Sequence, residues 1–154
     1  SKGYSIISNG GYEITPTLLE KKSLQRQRIL NENLSDIINP ILRKIVSTKE
    51  GTAGFANVKG YEIGGKTGTA DQPSKGGYSK KKINTFASVF PTSNPKFVLA
   101  VMLDEPKANR EFVYHYRDDR YPYKGNWRNT AGWTTVWVTG QIMDKIGPIL
   151  ATKY

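Results

Sequence analysis

Between Leu34 and Gly51 the apolar positions recur with a helical period. In LSDIINPILRKIVSTKEG, Ile37, Ile38, Ile41, Leu42, Ile45 and Val46 fall at helical spacing, which predicts an amphipathic helix with Gly51 as its stop. Two starts are open. Ser35 as the cap leaves Pro40 inside the helix, whereas Asn39 as the cap puts Pro40 at the first helical position, where its missing N–H costs nothing.

The pattern changes in INTFASVFPTSNPKFVLAVMLDEP, which predicts two strands, Ile83 to Phe90 and Phe97 to Leu103. The turn residues Thr92-Ser93-Asn94-Pro95 join them into an antiparallel hairpin. The run from Phe97 to Leu103 is apolar throughout, as expected of a strand covered on both faces. The tail TAGWTTVWVTGQIMDKIGP returns to helical spacing and places Trp133, Val136, Trp137, Gly140, Met143 and Ile146 on one face. Gly147 and Pro148 are expected to end that helix.

Less regular segments fill the rest. SKGYSIISNGG reads as a helix end stopped at Asn9-Gly10-Gly11, followed by an extended run from Ile14 to Leu18 in which Pro16 marks an edge or bend. Residues 20–33 are polar and mixed and read as loop, with room for a short strand near Arg28 to Leu30. DQPSKGGYSKKK reads as a loop rich in Gly and Lys, and residues 105–129 as a long loop dense in Tyr, Arg, Lys and Trp127. The triplet GTA recurs at Gly51 and Gly68 in different surroundings and is no repeat.

Composition narrows the partners. At 154 residues the chain is one domain's length, and 37% hydrophobic with 23% charged residues is a globular balance. The 23 Lys and Arg against 13 acidic residues give a formal charge of +10, which favours an anionic partner: nucleic acid, acidic lipid or a polymer carrying carboxylates. With no cysteine, disulfides and thiolate catalysis are excluded, and the lone His115 has no second histidine for a metal pair and reads as a loop or packing residue. No metal or cofactor is expected. The chain holds no stretch of about 18 consecutive apolar residues of the kind that spans a membrane.

The chemistry concentrates in YEIGGKTGTADQP. Lys66 beside Thr67 and Thr69 suits a substrate carboxylate, because the ammonium supplies field and the hydroxyls supply directed hydrogen bonds. Gly68 has no side chain, so a ligand can lie against the strand and pair with its backbone, and Gly64 and Gly65 extend the same freedom.

The order of segments adds to this. GGKTGTA, then GGY, FASVFPTSNPKFVLAVMLDEP and TAGWTTVWVTGQIMDKIGP, preceded by YSIISNGGYEITPTLL and GTAGFANVKGY, resembles the C-terminal part of a class B penicillin-binding protein of the cell-division transpeptidase type. The resemblance covers nearly the whole chain. It implies an α/β fold of the penicillin-binding and β-lactamase-like kind, seen in part: an antiparallel sheet of the K-T-G strand plus a hairpin, packed by helices that include the C-terminal one. By resemblance, Lys66 sits against the serine of an S-x-N motif, and Thr67 and Thr69 bind the carboxylate of a terminal D-alanine or of a β-lactam. The Thr69 N–H supplies half of an oxyanion hole, while its carbonyl receives the substrate amide. The implied partners are peptidoglycan stem peptides, β-lactams and cell-division membrane proteins, at the periplasmic face of the inner membrane and with no nucleic acid.

The nucleophile departs from that pattern. S-x-x-K occurs only as Ser79-Lys80-Lys81-Lys82, in a basic loop, and as Ser93-Asn94-Pro95-Lys96, in a turn, and both follow K-T-G where the family's serine precedes it. No S-x-N occurs. Residues 1–154 therefore read as the C-terminal portion of a longer transpeptidase domain, inactive alone, with the membrane anchor lying outside them. Two other readings stay open: a D,D-carboxypeptidase or β-lactamase on the same fold, and a basic nucleic-acid-binding module whose rings stack on bases. Lys75, Lys80, Lys81 and Lys82 read either as solvated surface or as a contact for anionic peptidoglycan or membrane. The aromatics of the 107–130 loop read either as the lining of an acceptor groove or as ordinary packing.

Overall fold

The computed structural model describes residues 1–18, 27–107, 109, 111–115, 122–124 and 128–153. In chain order its elements are α1 (Lys2–Ser8), α2 (Leu34–Ser47), a 3-10 turn (Gly54–Ala56), β1 (Gly64–Ser74), β2 (Gly77–Phe90), β3 (Phe97–Asp104), β4 (Val113–His115), β5 (Pro122–Lys124) and α3 (Thr135–Lys153). β1, β2 and β3 form one antiparallel sheet in that order, and β4 pairs with β5 in a separate ribbon. The predicted hairpin is there, with Phe86 opposite Val101, and the Lys66 strand lies beside its first strand.

Alternation decides where the core sits. Phe86 leaves β2 on the face that α3 covers, and it is fully buried with Ile63, Val136 and Met143. Phe55, Val58, Val46 and Phe90 with Ala53 and Ala56 complete this cluster, and Trp133 and Trp137 pack on it half-buried. Full burial of one such side chain stabilises by roughly 1.5–3 kcal/mol, so this single cluster anchors sheet and helix together.

The run from Phe97 to Leu103 is not covered on both faces. Phe97 and Leu99 pack on the core while Ala100 and Met102 are exposed, because α3 lies across one side only. The stretch expected as a loop after K-T-G is strand instead. β1 continues to Ser74 and turns at Lys75-Gly76, where the positive φ of Gly76 and Gly77 makes the reversal cheap. Lys82 pairs with Asp71, Lys81 with Glu105 at 2.6 Å, and the Gln72 amide with Asp104, so the arm is held by its own charges. The register shift between Asp71 and Pro73 accommodates a residue with no N–H to give.

Helix ends differ from expectation for packing reasons. α2 starts at Leu34, not after Asn39, and carries Pro40 inside. Ser35 and Asn39, one turn apart, are both buried against the end of α1. The Ser35 hydroxyl donates to Ile7 O at 2.6 Å and the Asn39 amide to Ser8 O at 3.2 Å, satisfying carbonyls that a helix end leaves bare. That pair outweighs the proline. Ile37 and Ile41, read as part of the buried stripe, are 59% and 50% exposed.

α3 likewise runs through Gly147 and Pro148 to Lys153. Ile146 and Leu150, either side of the proline, still pack on the core. Near the start of the chain, Ile14 to Leu18 form no strand; the one pairing there is a bridge from Tyr12 to Arg28, close to the expected short strand. Residues 19–26 lie outside the described residues.

Gly147 gives a signed test. A helix-interior glycine changed to alanine normally gains about 0.5–1 kcal/mol. Here a Cβ would sit 2.5 Å from the Tyr61 ring, and overpacking costs about 1–3 kcal/mol. Gly147→Ala is therefore expected to lower the urea midpoint, and a raised midpoint would show that Tyr61 does not lean on this helix.

Candidate active site

Among the described residues β1 is an edge strand of its sheet, so alternate N–H and C=O groups along it face outward without a ladder partner there. The K-T-G-T run occupies this edge opposite Ala87, Phe86, Thr85 and Asn84 in turn. Side chains alternate along a strand, so Lys66 and the two threonines leave it on opposite faces. The run therefore offers its lysine on one face of the strand and its two hydroxyls on the other.

Each group has a defined partner. The exposed Lys66 ammonium folds back to donate to Thr67 O at 2.9 Å. Thr67 Oγ1 lies 3.1 Å from Thr52 Oγ1, and Thr69 Oγ1 accepts the Ala131 N–H at 3.0 Å. At Gly68 a Cβ would lie 2.5 Å from Thr85 Oγ1, the hydroxyl that donates to Gly68 O at 3.3 Å, so a side chain there would displace that bond.

Gly64 and Gly65 serve packing, not ligand access. A Cβ on Gly64 would lie 2.5 Å from the Thr92 methyl and 2.9 Å from the α2 backbone at Leu42 and Arg43. One on Gly65 would lie 2.5 Å from Ala87 O and 2.7 Å from the Phe86 ring. Arg43 adds to this seam by donating to Ile63 O at 2.7 Å and to Asn57 Oδ1 at 2.8 Å.

Sequence reasoning missed Thr52, Thr85, Asn84 and Ala131, which surround the run. Thr52 belongs to the recurring GTA triplet, and its hydroxyl was the available signal. The other three have no local pattern, since only sheet register and the turn before α3 bring them in. The aromatic residues of the long loop prove to be packing where they are described. Tyr114 stands 5.5 Å from Phe55 and 5.2 Å from Trp133, ring centre to ring centre, and Phe112 stands 4.9 Å from Trp137. The loop itself contains the β4–β5 ribbon; Trp127 and the side chain of His115 lie outside the described residues.

Of the basic residues, Lys81 and Lys82 are ion-paired within the arm, which departs from a merely solvated surface. A cavity of about 850 Å³ lies elsewhere, between Ser5, Asn9, Thr15, Val89 and the turn at Pro95, and none of Lys66 to Thr69 lines it. Among the described residues no cluster of His, Asp or Glu is arranged to hold a metal, and no helix is long and apolar enough to cross a membrane.

The sequence profile of the penicillin-binding protein transpeptidase domain matches residues 1–121. The chain belongs to that family. It is 28% identical over 166 residues to the probable peptidoglycan D,D-transpeptidase FtsI of Caulobacter vibrioides, covering 99% of this chain and 26% of the relative. With the FtsI of Buchnera aphidicola it shares 38% over 114 residues, covering 73% of this chain and 18% of that one. The chain thus spans about a quarter or less of the curated relatives it matches.

Among solved structures, the transpeptidase domain of Burkholderia pseudomallei penicillin-binding protein 3 superposes with a TM-score of 0.71 at 24% identity, over 96% of this chain and 40% of that one. Penicillin-binding protein 3 of Mycobacterium tuberculosis, solved with ampicillin, gives 0.66 at 25% identity, over 95% of this chain and 34% of that one. The fold is therefore that of a transpeptidase domain.

Ser93, one of the two serines with a lysine three residues on, has a structural bond. Its hydroxyl and its N–H, the latter at 3.3 Å, both donate to the Glu62 carboxylate. These two bonds, and more weakly Arg43, hold the Glu62 carboxyl below its ordinary value. A carboxyl so depressed contributes stability that is present above its unfolded value and is lost as pH falls through the lowered one. Ser93→Ala should therefore flatten the acid limb of the stability curve below the ordinary carboxylate range; an unchanged limb in pH-dependent urea melts would show that the bond is not formed in solution.

Proposed function

We propose that residues 1–154 are the C-terminal portion of the transpeptidase domain of a serine D,D-transpeptidase that cross-links peptidoglycan during cell division and binds penicillin. The observation that carries the reading is the K-T-G-T run on an open strand edge, with two hydroxyls braced by Thr52 and Ala131 and a lysine on the other face. In this reading Thr67 and Thr69 bind the carboxylate of the terminal D-alanine, and Gly68 lets the peptide lie along the strand as an added one. The parent protein works at the periplasmic face of the inner membrane, with its anchor, its S-x-x-K and its S-x-N outside these residues, among cell-division membrane proteins.

The chemistry follows from those assignments. The serine oxygen attacks the carbonyl of the penultimate D-alanine, and the negative charge that develops on the carbonyl oxygen is held by the Thr69 N–H and the serine's own N–H. Lys66 supports proton movement through the S-x-N serine. Collapse expels D-alanine and leaves an acyl-serine, and the amine of a second stem peptide then attacks it to form the cross-link and release the serine. A β-lactam enters the same path, because its ring amide replaces the scissile bond and its carboxylate replaces that of D-alanine.

Thr67→Val keeps shape and removes one hydroxyl. A hydrogen bond to a charged group is worth about 1.5–3 kcal/mol, so acylation by β-lactam and by peptide alike should slow roughly tenfold to a hundredfold in the full-length enzyme. Lys66→Met should slow it more, and neither change should much lower the melting temperature, since the Lys66 ammonium and the Thr67–Thr52 contact are both exposed. An unchanged rate with a lowered melting temperature would make the run structural.

Residues 1–154 alone should resist acylation by a fluorescent penicillin, because binding groups cannot replace the covalent step. Label that survives denaturation and maps to Ser79 or Ser93 would overturn the assignment of the nucleophile to another part of the protein.

A further inference from the structure

A hydroxyl has one proton to give and two lone pairs to receive, so what already donates to it fixes what it can do for a ligand. At Thr69 the Ala131 N–H occupies the acceptor side at 3.0 Å. The hydroxyl proton is then turned away from that donor. An anion at the strand edge meets a group already set to donate.

The Ala131 N–H is itself held in place. It belongs to the turn before α3, in which Trp133 N–H donates to Thr130 O at 3.0 Å and Thr134 N–H to the same oxygen at 3.2 Å. Asn84, which faces Thr69 across the β1–β2 register, is fully buried beneath this turn. Its Nδ2 donates to Asn129 Oδ1 at 3.0 Å and to Thr134 Oγ1 at 2.9 Å, one partner on each side of Ala131. Thr134 Oγ1 passes its own proton to Thr130 O at 3.0 Å.

Asn84 carries a penalty that an apolar residue would avoid. Among the described residues its buried Oδ1 meets no hydrogen-bond donor. A side chain present for volume alone would not strand an acceptor in the core, so the amide is explained by its two donated bonds. We propose that Asn84 is a positioning residue for Thr69: it clamps the 129–134 turn so that the Ala131 N–H fixes the Thr69 hydroxyl as a donor to the ligand carboxylate. This rests on the reading of Thr69 as a carboxylate contact.

A double-mutant cycle in the full-length enzyme tests it, with benzylpenicillin acylation rate and melting temperature as readouts. Asn84→Asp keeps the shape and removes both donors, and Thr69→Val removes the hydroxyl. Asn84→Asp should slow acylation about tenfold when Thr69 is present and less than about twofold when Thr69→Val is already made, since residues acting through one another are not additive. The melting temperature should fall by the same amount in both backgrounds.

An equal slowing in both backgrounds would overturn the proposal, because Asn84 would then act on the fold alone. If Thr69→Val by itself leaves acylation unchanged, the reading of the site fails first and independently of Asn84. Should Asn84→Asp not fold, Thr134→Val, which removes one of its two partners at constant volume, takes its place in the cycle: slowing that depends on Thr69 supports the clamp, and equal slowing in both backgrounds overturns it.

Discussion

Backbone meets backbone at Gly64, where β1 passes against α2, and backbone meets ring one residue later, where Gly65 lies on Phe86. A single methyl on either would force helix, sheet or ring aside, so the spacing between α2, β1 and the α3-side core is set at these two residues. From there the strand has one direction to run. Lys66, Thr67, Gly68 and Thr69 emerge on the open edge immediately afterwards, and their positions inherit the precision of a packed seam instead of the looseness of a loop.

The same economy of polar groups appears at two helix ends. Beside α1, the hydroxyl of Ser35 and the amide of Asn39 take up helix-end carbonyls. At the start of α3, Asn84 and Thr134 serve the turn that leads into the helix. In each case a side chain from a distant part of the sequence completes a helix terminus, and this ties local structure to tertiary structure.

Hydrophobic spacing made the hairpin and the packing of α3 readable from sequence, because burial on one face imposes a period that survives in the residues themselves. Asn39, Gly147 and Pro148 misled because their local preferences for caps and breaks were overruled by what they touch: Ser8 O for Asn39 and the Tyr61 ring for Gly147. The K-T-G-T run stood out by type and order. Its braces did not, since Thr52 lies 15 residues upstream of Thr67 and Ala131 lies 62 residues beyond Thr69. Contacts of that separation leave no periodic trace. The strand extension through residues 71–82 was hidden for a different reason: Gly and Lys usually signal solvent, and only the pairing of Lys82 with Asp71 and Lys81 with Glu105 turns them into ladder.

That ribbon beyond β3 has a further consequence. It extends past the three-stranded sheet by several residues, at roughly 3.3 Å each, with little apolar burial to hold it. Beyond the backbone ladder its side-chain cohesion is coulombic and exposed, whereas the seam at Gly64 and Gly65 is steric and close-packed. Added electrolyte shortens the reach of exposed charges to about 8 Å at physiological ionic strength and about 3 Å at 1 M, and it leaves close packing untouched. One continuous strand therefore has two halves with different sensitivities, an outer half that loosens as ionic strength rises and an inner half, bearing the K-T-G-T run, that does not.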